Sequence, residues 1–245
     1  MSRVLTREEN IGTAAARHRG LRELFEELGL DYWCEGDLSI SEAVSGAGLD
    51  IRSVRSRMER LSSADAGPNW LDEPLSALVG HLDSVDHGIV RASMFRVALL
   101  FGDVCREGGA AAFEIMRTTF RELSSDLIMH MEHEEHTIFP AIVAMEEAWN
   151  KREEPPPRFE GGFRTAAARY VREHARLPMQ LRALRRERLD AGHLSAAAQR
   201  LFAELDLLER TLHEGMNLEN YVAFPRAIAL EDALTTHLAP ELVPA

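Results

Sequence analysis

Between Asp126 and Pro140 the chain reads Asp-Leu-Ile-Met-His-Met-Glu-His-Glu-Glu-His-Thr-Ile-Phe-Pro, with three of its ten histidines set among carboxylates. At helical spacing His130 and Glu134 stand four apart and share one face. Phe113, Met116, Phe120, Leu123 and Leu127 form the apolar stripe that precedes them, the pattern of a helix facing a core. Continuing the same count gives His130, Glu134, Thr137 and Ala141, so an imidazole and a carboxylate occupy seam positions where Leu is expected. Buried there, both cost free energy unless paired or coordinated. Imidazole nitrogen and carboxylate oxygen together are the donor set of a non-haem iron or manganese site.

A second stretch, Asn217-Leu-Glu-Asn-Tyr-Val-Ala-Phe-Pro225, repeats the context: Glu219, like Glu134, stands five residues before a Phe-Pro. Its seam runs Leu201, Leu205, Leu208, Leu212, Gly215, Glu219, Val222. Two further stripes each carry one imidazole: His87, Val90, Met94, Val97, Phe101, and Ala167, Tyr170, His174, Leu177, Leu181, Leu184. A lone His on an apolar face is usually a satisfied core residue. Here His87, His130, His174, Glu134 and Glu219 fall on four seams, and the two Glu share a repeated context. That favours a carboxylate-bridged di-iron site inside a helix bundle. His133 and His136 lie off the seam and read as solvated. His81 is left open between a place beside His87 and the surface.

The elements that must position these residues are helices. No stretch alternates in the manner of a strand, aromatics are only 7%, and Gly and Pro gather between the periodic runs, so the fold class is all-α. No apolar run approaches the roughly 18 residues of a membrane span, and the first residues lack a signal-peptide core. A net charge of −12 argues against nucleic acid, which wants a basic face. Two cysteines, Cys34 and Cys105, make no disulfide framework. The expected location is the cytoplasm.

In chain order, residues 1–62 read as a small helical module with runs over Thr13–Leu28, Ile40–Gly46 and Asp50–Leu61. Residues 63–74 read as a linker by composition, and 75–245 as an up-down four-helix bundle. Its helices are expected over Leu75–Arg106, Ala110–Asn150, Phe163–Leu189 and Leu194–Glu231. Gly108-Gly109, the Pro-rich run 151–162 and Ala191-Gly192 separate them. Pro140 is expected to kink the second helix or reset its end.

With these residues in view, the chain resembles the repair-of-iron-centres family, hemerythrin-like di-iron proteins of iron–sulfur cluster repair. That family's small N-terminal domain carries Asp-Tyr-Cys-Cys-Gly-Gly; this chain has Asp31-Tyr32-Trp33-Cys34-Glu35-Gly36. The family's bundle pattern of His, His-x-x-x-Glu, His and His-x-x-x-Glu falls on His87, His130, Glu134, His174 and Glu219. The remaining position, the His of the last pair, is Gly215. His213 is two residues away, about 200° around a helix, and so is expected to point off the seam. The resemblance implies two iron ions, with manganese or a single retained metal as the alternatives that Gly215 leaves open. It implies Asp126 and Glu173 as acidic neighbours of the ligands and Cys34 as a redox thiol without its vicinal partner. It implies stress-related binding of NO or O₂-derived species, or iron donation, with iron–sulfur proteins as partners and a homodimer as one assembly. Two other functions stay open: O₂-dependent oxidation of a small molecule, and a metal-degenerate sensory or interaction module.

Overall fold

A computed structural model of the chain describes residues 9–61, 68–109, 113–154, 159–189 and 195–238. Residue 62 of the expected module, 63–67 of the expected linker, 155–158 of the Pro-rich run and the Ala191-Gly192 break lie outside the described residues. The described chain is all-α, and its one β feature is an isolated bridge between Asn10 and Ser39. Its helices are α1 (Ile11–Arg17), α2 (Arg19–Leu28), α3 (Ile40–Gly46), α4 (Ile51–Leu61), α5 (Leu75–His81), α6 (His87–Val104), α7 (Glu114–His133), α8 (Phe139–Lys151), α9 (Gly162–His174), α10 (Leu177–Leu189), α11 (Ala196–Leu218) and α12 (Phe224–Leu238). Wider π turns join several of them end to end: Leu82–Asp86, Glu134–Ile138 and Glu219–Ala223.

Two of the expected helices are interrupted. The run Thr13–Leu28 is two helices, because His18 takes an extended conformation (φ −140°, ψ 118°) between α1 and α2. The third bundle helix is likewise broken after His174 and resumes at Leu177. Pro178 explains the second break: it has no N–H for the carbonyl of His174, and its ring would clash there.

Pro140 resets the second helix without ending it. The Phe139 N–H reaches back five residues to the Glu134 carbonyl, which widens the turn just where Pro140 cannot donate. Phe224 does the same to Glu219, just before Pro225. The shared five-residue spacing from Glu to Phe-Pro is therefore the span of one π bond. An extra residue in the turn also shifts the apolar register. Thr137 is exposed, whereas Ile138 and Ile142 are fully buried. The seam count that runs correctly to Glu134 thus fails after it.

The chain forms two compact units, one of residues 1–79, 142–164 and 213–245, the other of 80–141 and 165–212. In the first, Ile11, Leu21, Leu24, Phe25, Tyr32, Val44 and Met58 make a continuous core. The N-terminal helices rest on residues 213–221 of the same unit. Asn217 Nδ2 donates to the carbonyls of Gly12 and Tyr32, both at 3.0 Å. The Tyr221 ring lies where a Cβ on Gly12 or Gly36 would come within 2.6 and 2.5 Å of it. Both positions require glycine for that close approach.

In the second unit, α6, α7, α10 and the first part of α11 bury the expected stripes. Val90, Val97, Phe101, Met116, Phe120, Leu123, Leu127, Leu181, Leu201 and Leu208 are all buried. Polar links tie the same helices at their edges: Ser93 Oγ to Glu204 (2.7 Å), Gln180 to Asp126 (2.9 Å) and Arg185 to Glu209 (2.9 Å).

Candidate metal centre

Glu134 is the centre of the second unit's polar interior. It begins the π turn after α7, and its side chain is 1% exposed. Three imidazoles aim their Nε2 atoms at it. His130, one turn earlier on α7, approaches Oε1 at 3.2 Å. His87, at the start of α6, approaches Oε2 at 3.4 Å. His174, the last residue of α9, lies 3.8 Å from Oε1. His130, Glu134 and His174 each offer a ligand atom, all within 4.8 Å of one another.

The outer sides of two rings are held by carboxylates. His130 Nδ1 is 3.0 Å from Glu173 Oε2, and Arg169 in turn holds Glu173 at 3.0 Å. His87 Nδ1 is 2.7 Å from Glu135 Oε1, and Arg91 grips both oxygens of Glu135 at 2.8 Å. A carboxylate can only accept, so each Nδ1 carries a proton; Nε2 is then an N–H donor toward Glu134 when the ring is charged and a lone pair for a metal when it is neutral. This arrangement of carboxylate behind histidine orients imidazoles on a metal.

Burial pushes the Glu134 carboxyl up, but the charge of His130 and the His130, His174 and His87 imidazoles gathered around it hold it well below the usual carboxylate range. Burial likewise raises Glu135 and Glu173, and their Arg and His partners bring each below its ordinary value. Tyr170, whose ring is 5.7 Å from that of His130, is pushed up to about 12 by burial and by the charge of Glu134. It is a neutral phenol.

A cation fits this site. Glu134 Oε1 makes no hydrogen bond among the described residues, and the Nε2 atoms of His130 and His174 face each other at 2.8 Å. A buried carboxylate oxygen beside two imidazole nitrogens that share one proton between them is a donor set that a cation satisfies. Protons satisfy such a group one pair at a time; a bound transition metal satisfies it at once. A cleft of about 330 Å³ opens beside it, lined by Met129, His130, His133, Glu173, Arg176 and others.

Asp126 is exposed and bonded to Gln180, not to His130. His133 and His136 are exposed. His81 is half-buried, with Nε2 3.5 Å from Asp86. Glu219 is 3% exposed and opens its own π turn in the first unit. Gly215 is buried. His213 is 1% exposed; its Nδ1 lies 2.6 Å from Glu26, and its ring stacks on Trp33 with centroids 3.4 Å apart. Its Nδ1 edge and one ring face are thus engaged by the N-terminal module. Cys34 is half-buried, its N–H donated to Asp31 at 2.7 Å. Glu135 is the functional neighbour that sequence reasoning missed. Its partner His87 is 48 positions away, so no local spacing announces the pair.

No family model matches the chain. Curated relatives do. An iron–sulfur cluster repair protein ScdA from Staphylococcus haemolyticus (strain JCSC1435) is 25% identical over 210 residues, covering 82% of this chain and 90% of the relative. The repair protein YtfE from Edwardsiella ictaluri (strain 93-146) is 25% identical over 232 residues, 91% of this chain and 97% of the relative. YtfE from Pectobacterium carotovorum subsp. carotovorum (strain PC1) matches more narrowly, 24% over 139 residues, with the chain spanning 63% of that relative. At about 25% identity over most of its length, this chain is a divergent relative of the iron–sulfur cluster repair proteins.

Proposed function

We propose that the protein is a non-haem iron protein of the iron–sulfur cluster repair type, with His87, His130, Glu134 and His174 as ligands. The observation that carries this reading is the buried Glu134 carboxylate met by three imidazole Nε2 atoms, two of them oriented from behind by Glu135 and Glu173. Glu219 is included in the proposed ligand set on its burial and on the Glu-to-Phe-Pro turn it shares with Glu134. A pair of carboxylates suits a bridged pair of irons in a hemerythrin-like bundle, and manganese uses the same donors. Bound iron would supply a Lewis-acidic, redox-active centre for a small ligand such as NO or an O₂-derived species, or iron for a damaged cluster.

The chain's own residues do the rest. Glu135 and Glu173 keep the two imidazoles in the tautomer that leaves Nε2 free to bind. The apolar stripes of α6 and α7 exclude water from the inner face of Glu134. The cleft beside His130 is the proposed approach for a small ligand or for an iron–sulfur protein partner. A cytoplasmic location and a role under nitrosative or oxidative stress go with this reading.

Metal analysis of protein expressed in iron-rich medium tests it. Iron should co-purify, approaching about two ions per chain if both carboxylates bridge. Glu134→Ala should lose most of it with the helical circular dichroism retained. Equal metal in wild type and variant would overturn the assignment.

A further inference from the structure

We propose that the groove between α6 and α7 binds an apolar monocarboxylate, a molecule with a single carboxylate on a hydrocarbon body. The groove has a volume of about 690 Å³, within the roughly 300–1,000 Å³ range of small-molecule sites. Met94, Phe101 and Phe120 form a buried apolar floor, and Phe95 (66% exposed) stands at its edge. Solvent-exposed apolar surface of this kind, continuous with a concave floor, marks a place for an apolar ligand.

The charge of the lining selects the ligand's head group. Arg91, Arg117 and Arg121 line the groove and no carboxylate does, in a chain whose net charge is −12. Arg91 is held by Glu135 and Arg117 by Glu114. Arg121 enters no ion pair among the described residues. Ser125, one turn after Arg121, also lines the groove and shares its helix face. A guanidinium and a hydroxyl side by side form a carboxylate anchor. From Arg91 to Phe101 the groove follows α6 for about 15 Å, room for an extended hydrocarbon chain. A second copy of this protein is a poorer occupant, because it brings the same strong negative charge.

Decanoate is the probe, with decanol as the uncharged control, titrated calorimetrically into the full chain. One saturable decanoate site is expected. Arg121→Gln should weaken it by about tenfold or more, as loss of a charge-assisted contact does, and Phe95→Ser should weaken it comparably. Decanol should bind about tenfold less tightly than decanoate. Both variants carry exposed substitutions and should keep wild-type helicity and metal content, so the result is independent of the iron assignment. Equal binding of decanol, or no effect of Arg121→Gln, overturns the proposal. So does a concentration-dependent dimer that Phe95→Ser dissociates while decanoate fails to bind, which would make the groove an interface between copies.

Discussion

Glu134 shows how much a single buried carboxylate constrains its neighbours. Held ionised at 1% exposure, it needs cations or hydrogen-bond donors on every side, and the second unit supplies imidazoles. Their orientation depends on Glu135 and Glu173 rather than on the ligands alone. Glu135→Ala or Glu173→Ala should therefore lower metal affinity by about 10–100-fold without unfolding the chain, measured by competition with a chromophoric chelator. No change in either variant would mean the rings are fixed by packing. Gly215 calls for a different substitution. His213 has its Nδ1 edge on Glu26 and a ring face on Trp33, so in the proposed reading it does not stand in for a donor at position 215. Gly215→His should raise metal retention during dialysis against chelator. Unchanged retention would show that another donor already fills that role.

The π turns are the elements that convert sequence into site geometry. Each places a Glu at its first residue and a Phe-Pro after its last, and π turns of this kind recur at functional sites. The turn after α7 also moves the core seam from Thr137 to Ile138, which lets Glu134 face inward while the following helix still buries apolar residues. The turn at Glu219 has a second dependence, because Tyr221 within it packs against Gly12 and Gly36. Gly12→Ala puts a methyl into the ring and should destabilise the protein by about 1–3 kcal/mol, the usual range for overpacking. Thermal denaturation followed at 222 nm measures it, and a stability equal to wild type would mean that Tyr221 rotates away freely.

At the scale of the whole molecule, the N-terminal helices are not a passive appendage to the first unit. They cover His213 and Asn217, which are 1% and 0% exposed. Deleting residues 1–68 removes Gly12, Glu26, Tyr32 and Trp33 and leaves those polar groups without their partners. Hydrogen exchange across 213–221 should then accelerate, and the melting temperature should fall by several degrees, about the effect of 1–2 kcal/mol in a domain of this size. Unaltered exchange would make the module dispensable to residues 213–221. Among the described residues no helix is long and apolar enough to cross a membrane.

Sequence periodicity by itself determined the helical class, the inward stripes of α6, α7, α10 and α11, and the placing of His87, His130, Glu134, His174 and Glu219 on seams. Periodicity suffices there because burial of one face is a local property of a 3.6-residue repeat. For His213 it supplied an expectation only, that two residues cover more than half a turn; the structure buries that ring against Trp33 and Glu26. Three things were decided only by tertiary structure. The seam beyond Glu134 moved because a π bond adds a residue that no hydrophobic count contains. Asp126 went to Gln180 and Glu135 to His87 because such partners are set by how helices meet, across 54 and 48 positions of chain. The stack of Trp33 on His213 joins residues 180 positions apart. Side-chain partnership over such distances is a property of packing, and packing is where local spacing carries no information.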